Sequence, residues 1–248
     1  KIEDANILEV VNYIKKAAES ENHISMFYYG NMLCEGKLVK KNTKKGISYI
    51  KKSADLGDSM ASLKYGLILL EGIEIPQNEE QAAFYIKKSA DKGNEDAILK
   101  YGQILTNMDG IFNKKQASIY FKMLADQGNE IAMVEYGKIL FEDKDINQKK
   151  SAVYYFKTAA DLNNKEGMFE YGKMLELGTI IPKNMKDAIY FIKKSADLGC
   201  SDAMAYYGEM LYYGKGVQLD KDESMKYLKK SVELGNNRGM LIYALILL

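Results

Sequence analysis

The chain has one histidine, two cysteines, two prolines and almost no net charge. A lone imidazole, His23, cannot build a multi-histidine metal centre, and Cys34 and Cys200 have no second cysteine or histidine at ligand spacing. Two cysteines so far apart give no disulfide framework. Basic and acidic side chains number 35 and 34, for a formal charge of +1, so nothing in the balance calls for nucleic acid or an anionic membrane surface. No apolar run approaches the roughly 20 residues of a membrane span. There is no Asn-x-Ser/Thr acceptor. Together with the cysteine count, this fits a reducing, cytoplasmic compartment. The glycines of Gly214-Lys215-Gly216 lack the strand and phosphate-loop context of a nucleotide site. His23, at a helix start beside Asn22, reads as a solvated surface residue. The expectation is a chain without catalytic residues, cofactor or metal.

What the chain has instead is a repeat. Tyr29-Gly30, Tyr65-Gly66, Tyr101-Gly102, Tyr136-Gly137, Tyr171-Gly172 and Tyr207-Gly208 recur every 35 or 36 residues, and a seventh copy reads Tyr243-Ala244. A second anchor, Ala-Asp-x-Gly, runs in phase at 54–57, 90–93, 125–128 and 196–199, with variants at 160–163 and 232–235. A fixed period of this length means stacked supersecondary units, which present extended binding surfaces.

One unit reads as two helices. Asp58 is the N-cap of a first helix running to about Glu71, and Asn22, Asn94, Asn129, Asn164 and Asn236 stand at the same position; Cys200 is the exception. A glycine inside that helix costs roughly 1 kcal/mol against alanine. Its recurrence implies that a neighbouring helix crosses there too closely for a β-carbon. A connector follows, with an aliphatic plug at Val39, Ile75, Ile111, Ile146, Ile181 and Val217, and with Pro76 and Pro182 outside helix interiors. The two short repeats each lose one residue between plug and second helix. The second helix runs from about Glu79 to Asp91, and Gly93 or its counterpart ends it in the left-handed conformation, with Asn163 as the one replacement. Counting these markers gives fourteen helices, seven of each type. The 19 tyrosines fall mostly at repeat-phased packing positions.

Tyr207-Gly208 through Gly214-Lys215-Gly216-Val217, then Lys226-Tyr227-Leu228-Lys229-Lys230-Ser231, resembles the Sel-1-like repeat, a subclass of the tetratricopeptide superfamily. The resemblance covers essentially the whole chain, although one connector alone keeps the full Gly-x-Gly-Val. It implies an all-α, right-handed α/α superhelical solenoid with first helices lining the concave side, in a family of adaptors. A cysteine-rich secreted bacterial branch, some of whose members were linked to β-lactam binding or hydrolysis, carries a disulfide in each repeat; this chain lacks those cysteines. Residues 1–248 read as a single solenoid that begins at a second helix and ends after a first helix. It reads as part of a longer chain with further repeats or domains expected beyond Leu248.

Within the first helices one arc varies freely from copy to copy while the rest stays small or aliphatic. Tyr28, Lys64, Leu67, Lys100, Gln103, Glu135, Lys138, Glu170, Lys173, Tyr206 and Glu209 lie on it. If the family geometry holds, the arc faces the groove, where tyrosines, aliphatics and both charges suit a protein or peptide partner. Lys64 and Lys100 towards one end and Glu135 and Glu170 further along would orient a peptide of opposite polarity. The lysine ladder Lys15, Lys51, Lys87, Lys122, Lys157, Lys193 and Lys229 is matched four residues later by Glu19, Asp55, Asp91, Asp126, Asp161, Asp197 and Glu233. Local cancellation of that kind argues against nucleic acid. The function expected is a non-catalytic adaptor. The alternatives are a structural module docking through its ends or convex face and, remotely, the hydrolase activity of the secreted branch.

Overall fold

The computed structural model describes residues 2–108 and 111–248, with side chains described from residue 6 onward and those of 111 and 112 excepted. It is all-α, with fourteen helices and, among the described residues, no strand. The second-type helices are α1 (Ile2–Glu19), α3 (Thr43–Asp55), α5 (Glu79–Ala90), α7 (Ile111–Ala125), α9 (Ile146–Asp161), α11 (Met185–Asp197) and α13 (Lys221–Glu233). The first-type helices are α2 (His23–Glu35), α4 (Ser59–Glu71), α6 (Glu95–Asn107), α8 (Glu130–Phe141), α10 (Lys165–Leu177), α12 (Ser201–Tyr213) and α14 (Asn237–Leu247). The chain forms two compact units, Lys1–Tyr120 and Phe121–Leu248, each a stack of helix hairpins.

The helix ends follow from the caps. Asn22, Asp58, Asn94, Asn129, Asn164 and Asn236 each accept a backbone N–H of the first turn, and Cys200 makes no such bond. Second helices are capped as well, by Asn42, Asn78, Asp145, Asn184 and Asp220, which the repeat pattern had not singled out. Gly57, Gly93, Gly128, Gly199 and Gly235 sit at positive φ after the second helices, and Asn163 takes the same conformation at φ 65°.

The helical glycines mark the closest crossings. A β-carbon on Gly30 would lie 2.8 Å from the Gly46 carbonyl oxygen and from Ile50 Cγ1, and one on Gly137 would lie 2.6 Å from Phe156 Cε1. Gly30, Gly66, Gly137, Gly172 and Gly208 therefore each press against the second helix that follows, as the recurrence had implied. Around this crossing the tyrosine of the Tyr-Gly pair meets an aromatic of the second helix edge-on: Tyr65 with Tyr85, Tyr101 with Tyr120, Tyr136 with Tyr155, Tyr171 with Phe191 and Tyr207 with Tyr227.

The connectors depart from the sequence reading in two places. Val39, Ile75 and Val217 pack against the core as plugs, and Ile181 is half-buried. Ile146 instead opens α9 and is exposed, because the shortened connector leaves no loop between plug and helix. Ile111 likewise opens α7, and its side chain lies outside the described residues.

Candidate binding surface

The second-helix tyrosines do more than pack. Tyr85 donates its hydroxyl to Asp55 at 2.6 Å, Tyr120 to Asp91 at 2.9 Å, Tyr155 to Asp126 at 3.3 Å and Tyr227 to Asp197 at 2.5 Å, each reaching back to the preceding second helix. Phe191 breaks the series, since a phenyl ring has no donor for Asp161. Five lysines of the ladder pair with the acid one turn on, at Lys15–Glu19, Lys51–Asp55, Lys87–Asp91, Lys122–Asp126 and Lys157–Asp161. Lys193 and Lys229 make no such ion pair among the described residues, although Asp197 and Glu233 stand four residues on.

These contacts set a pH dependence. Burial pushes the Asp55 carboxyl up, but hydrogen bonds from Tyr85 and Lys51 outweigh it and hold the group below its ordinary value of 3.8. A depressed carboxylate contributes stability above its ordinary pKa, and that contribution is lost as pH falls through the folded value. Burial, then Asp55 itself, pushes the Tyr85 hydroxyl upward, so the same contact is lost in strong alkali rather than near neutrality. Tyr85→Phe is expected to cost about 1 kcal/mol at pH 7, because Asp55 is half-exposed. The same variant should lose less stability than the parent between pH 5 and pH 2, measured by urea unfolding across that range.

The eleven arc residues all reach solvent, while Tyr65, Gly66, Tyr136, Gly137, Tyr207 and Gly208 on the same helices are buried. In the first unit, Tyr28 is exposed against Phe27, and Lys64 and Lys100 make no ion pair among the described residues. In the second unit the arc is paired internally. Lys138 donates to Glu135 at 2.8 Å, Lys173 pairs with Glu170 at 2.8 Å and lies 4.7 Å over the Phe169 ring, and Tyr206 donates to Glu176 at 2.6 Å. Glu209 is held by Lys215 and Arg238, and Arg238 also stacks on Tyr206. Glu135 and Glu170 are thus not the free acidic end that the sequence suggested; their partners are the neighbouring arc lysines three residues on. Within this unit successive first helices, α8 with α10, α10 with α12 and α12 with α14, approach backbone to backbone.

Two pockets of the first unit open beside arc residues at equivalent repeat positions. One, of about 140 Å³, lies beside Cys34, Ile47, Lys64 and Ile68. The other, of about 650 Å³, has Leu70, Ala83, Ile104 and Met108 as its apolar wall, with Lys100, Gln103 and Asn107 on one side and Glu79 and Glu80 from the first turn of α5 on the other. The alanine at 83 stands where the smaller pocket has Ile47.

His23 is exposed, with Nδ1 3.6 Å from Asp58. Cys34 and Cys200 are free thiols, each pushed upward in pKa by burial. Among the described residues, no cluster of three histidines, cysteines or acids could hold a metal ion, and no helix is long and apolar enough to cross a membrane.

The family model for the Sel1 repeat matches residues 23–58, 59–94, 131–164, 165–200 and 201–236, well over half of the chain. The chain belongs to the Sel1 repeat family. A protective antigen of uropathogenic Escherichia coli strains displaying an SLR fold is 25% identical, with a TM-score of 0.80 over 97% of this chain. The chain spans about half of that protein, 52% of its length. A Sel1 repeat protein from Oxalobacter formigenes is 22% identical with a TM-score of 0.71, covering 92% of this chain and 99% of its own, and shares the fold. No curated protein matches the chain. Sel1 repeat proteins generally mediate protein–protein interaction and are typically non-catalytic.

Proposed function

We propose that this Sel1 repeat chain is a non-catalytic adaptor that binds a partner protein or peptide along the face made by its first helices. The observation that carries the reading is a coincidence of two properties. The positions that change most from repeat to repeat are also the solvent-accessible positions of helices that are otherwise packed. A scaffold keeps its packing residues constant and leaves its reading residues free to vary. Lys64 and Lys100 supply charge without an internal partner, and Tyr28 and Leu67 supply contact area.

The test is capture from the native source, followed by titration of the purified partner. Lys64→Glu with Lys100→Glu, confirmed folded by circular dichroism, is expected to weaken binding at least tenfold. Equal affinity of both proteins for the partner would move the contact off this face.

A further inference from the structure

The larger pocket of the first unit is a place where the repeat leaves out a side chain. Its counterpart one repeat earlier has Ile47, which is 6% exposed and fills the space between α2, α3 and α4. Val153, one of the equivalent residues in the second unit, is likewise 6% exposed. At Ala83 the side chain stops at its β-carbon, which adds to the space between α4, α5 and α6; the pocket there measures about 650 Å³, within the size range of ligand pockets. The wall beyond is Leu70, Ile104 and Met108, the last about half-exposed, so the missing volume is apolar.

The rim adds a sign. Lys100 lies on it without an ion pair, whereas Glu135 and Glu170, which hold its repeat position in the second unit, are neutralised by Lys138 and Lys173. Glu79 and Glu80 stand across the pocket on α5. An uncompensated ammonium beside an apolar wall favours a carboxylate adjoining an apolar group, and the facing glutamates disfavour a second acid on their side.

We infer that this pocket is the anchor point of the adaptor, and that it takes a large aliphatic or aromatic side chain of a partner peptide whose single acidic neighbour pairs with Lys100. The inference rests on the adaptor reading and specifies its partner. The peptide side chain enters the pocket beside Ala83, taking up among other space the volume that Ile47 fills from within the chain one repeat earlier. Burial of that side chain supplies most of the attraction, and the lysine selects which flank carries the acid.

The experiment is a selection of random dodecapeptides displayed on phage against the purified chain, followed by affinity measurement on the enriched peptides. Enrichment of Leu, Ile, Met or Phe beside one Asp or Glu is expected. Ala83→Ile, which restores the residue of the preceding repeat, is expected to weaken those peptides at least tenfold with an unchanged circular dichroism spectrum. Ala83→Val, the residue at the equivalent place in the second unit, should weaken them less. Lys100→Glu should turn the flanking preference from acidic to basic. Enriched peptides that bind Ala83→Ile and Ala83→Val as tightly as the parent overturn the inference. If those peptides are instead weakened by Tyr28→Ala, the adaptor reading stands and the pocket assignment falls. If no peptide is enriched, both fall.

Discussion

Phe156→Ala is expected to destabilise the second unit by about 3–5 kcal/mol, the cost of removing a buried aromatic and leaving its cavity. Phe156 is 1% exposed, and its ring lies in the space a β-carbon on Gly137 would enter, 2.6 Å from Cε1. The two positions are therefore coupled. Gly137→Ala alone forces the ring aside and should destabilise, even though alanine is the better helix former by roughly 1 kcal/mol. In the Phe156→Ala background the same substitution places a methyl group in vacated space and should stabilise. A double-mutant cycle by urea unfolding reads the change of sign directly. Additive effects would mean that the glycine is not there to admit the ring.

The first unit offers a harder case. Gly30→Ala sets a methyl group 2.8 Å from a backbone oxygen, that of Gly46, as well as against Ile50. A carbonyl in a helix cannot rotate away as a side chain can, so the helices must separate and the edge-on contact of Tyr29 with Tyr49 must loosen with them. A loss of about 2–3 kcal/mol is expected, at the upper end of overpacking costs. Thermal unfolding should show it as a drop of several degrees, and trimming Ile50 to alanine should not restore it, because the carbonyl remains. Full recovery in that double variant would place the clash on the side chain alone.

Most of the fold was legible because its determinants repeat in register. The N-cap asparagines, the helical glycine and the left-handed stop each recur at one spacing, and each has a single physical reading. Asn42, Asn78, Asn184 and Asp220 each stand 13 residues after the tyrosine of a Tyr-Gly pair, so that cap signal was present and was overlooked; Asp145, 9 residues after Tyr136, falls out of phase because its connector is shorter. Connector length also explains Ile146, which changed from plug to helix start when the loop shortened.

The arc was legible as a variable stripe, but its charges were read singly. Glu135 with Lys138 and Glu170 with Lys173 are three residues apart on one helix face, the spacing at which opposite charges meet, and that signal was present in the sequence. The pocket beside Lys100 could also have been found there. Comparing the second helices at one position gives Ile47, Ala83, Ser118, Val153, Ile189 and Met225, and Ala83 is the smallest of them. It was overlooked because a void is made by what a residue lacks, whereas motif reading looks for what is present.

The central claim is that the first helices, with their variable arc, are the reading face. Hydrogen exchange of the chain with and without its captured partner tests it most directly, since α2 to α14 alternate between the two helix types and yield separate peptides. Slowed exchange in α4, α6 and the first turn of α5, where the pocket lies, with any further protection falling on other first helices, is the result this account predicts. Protection confined to the second helices α3, α9, α11 and α13, or to α14 alone, would contradict it.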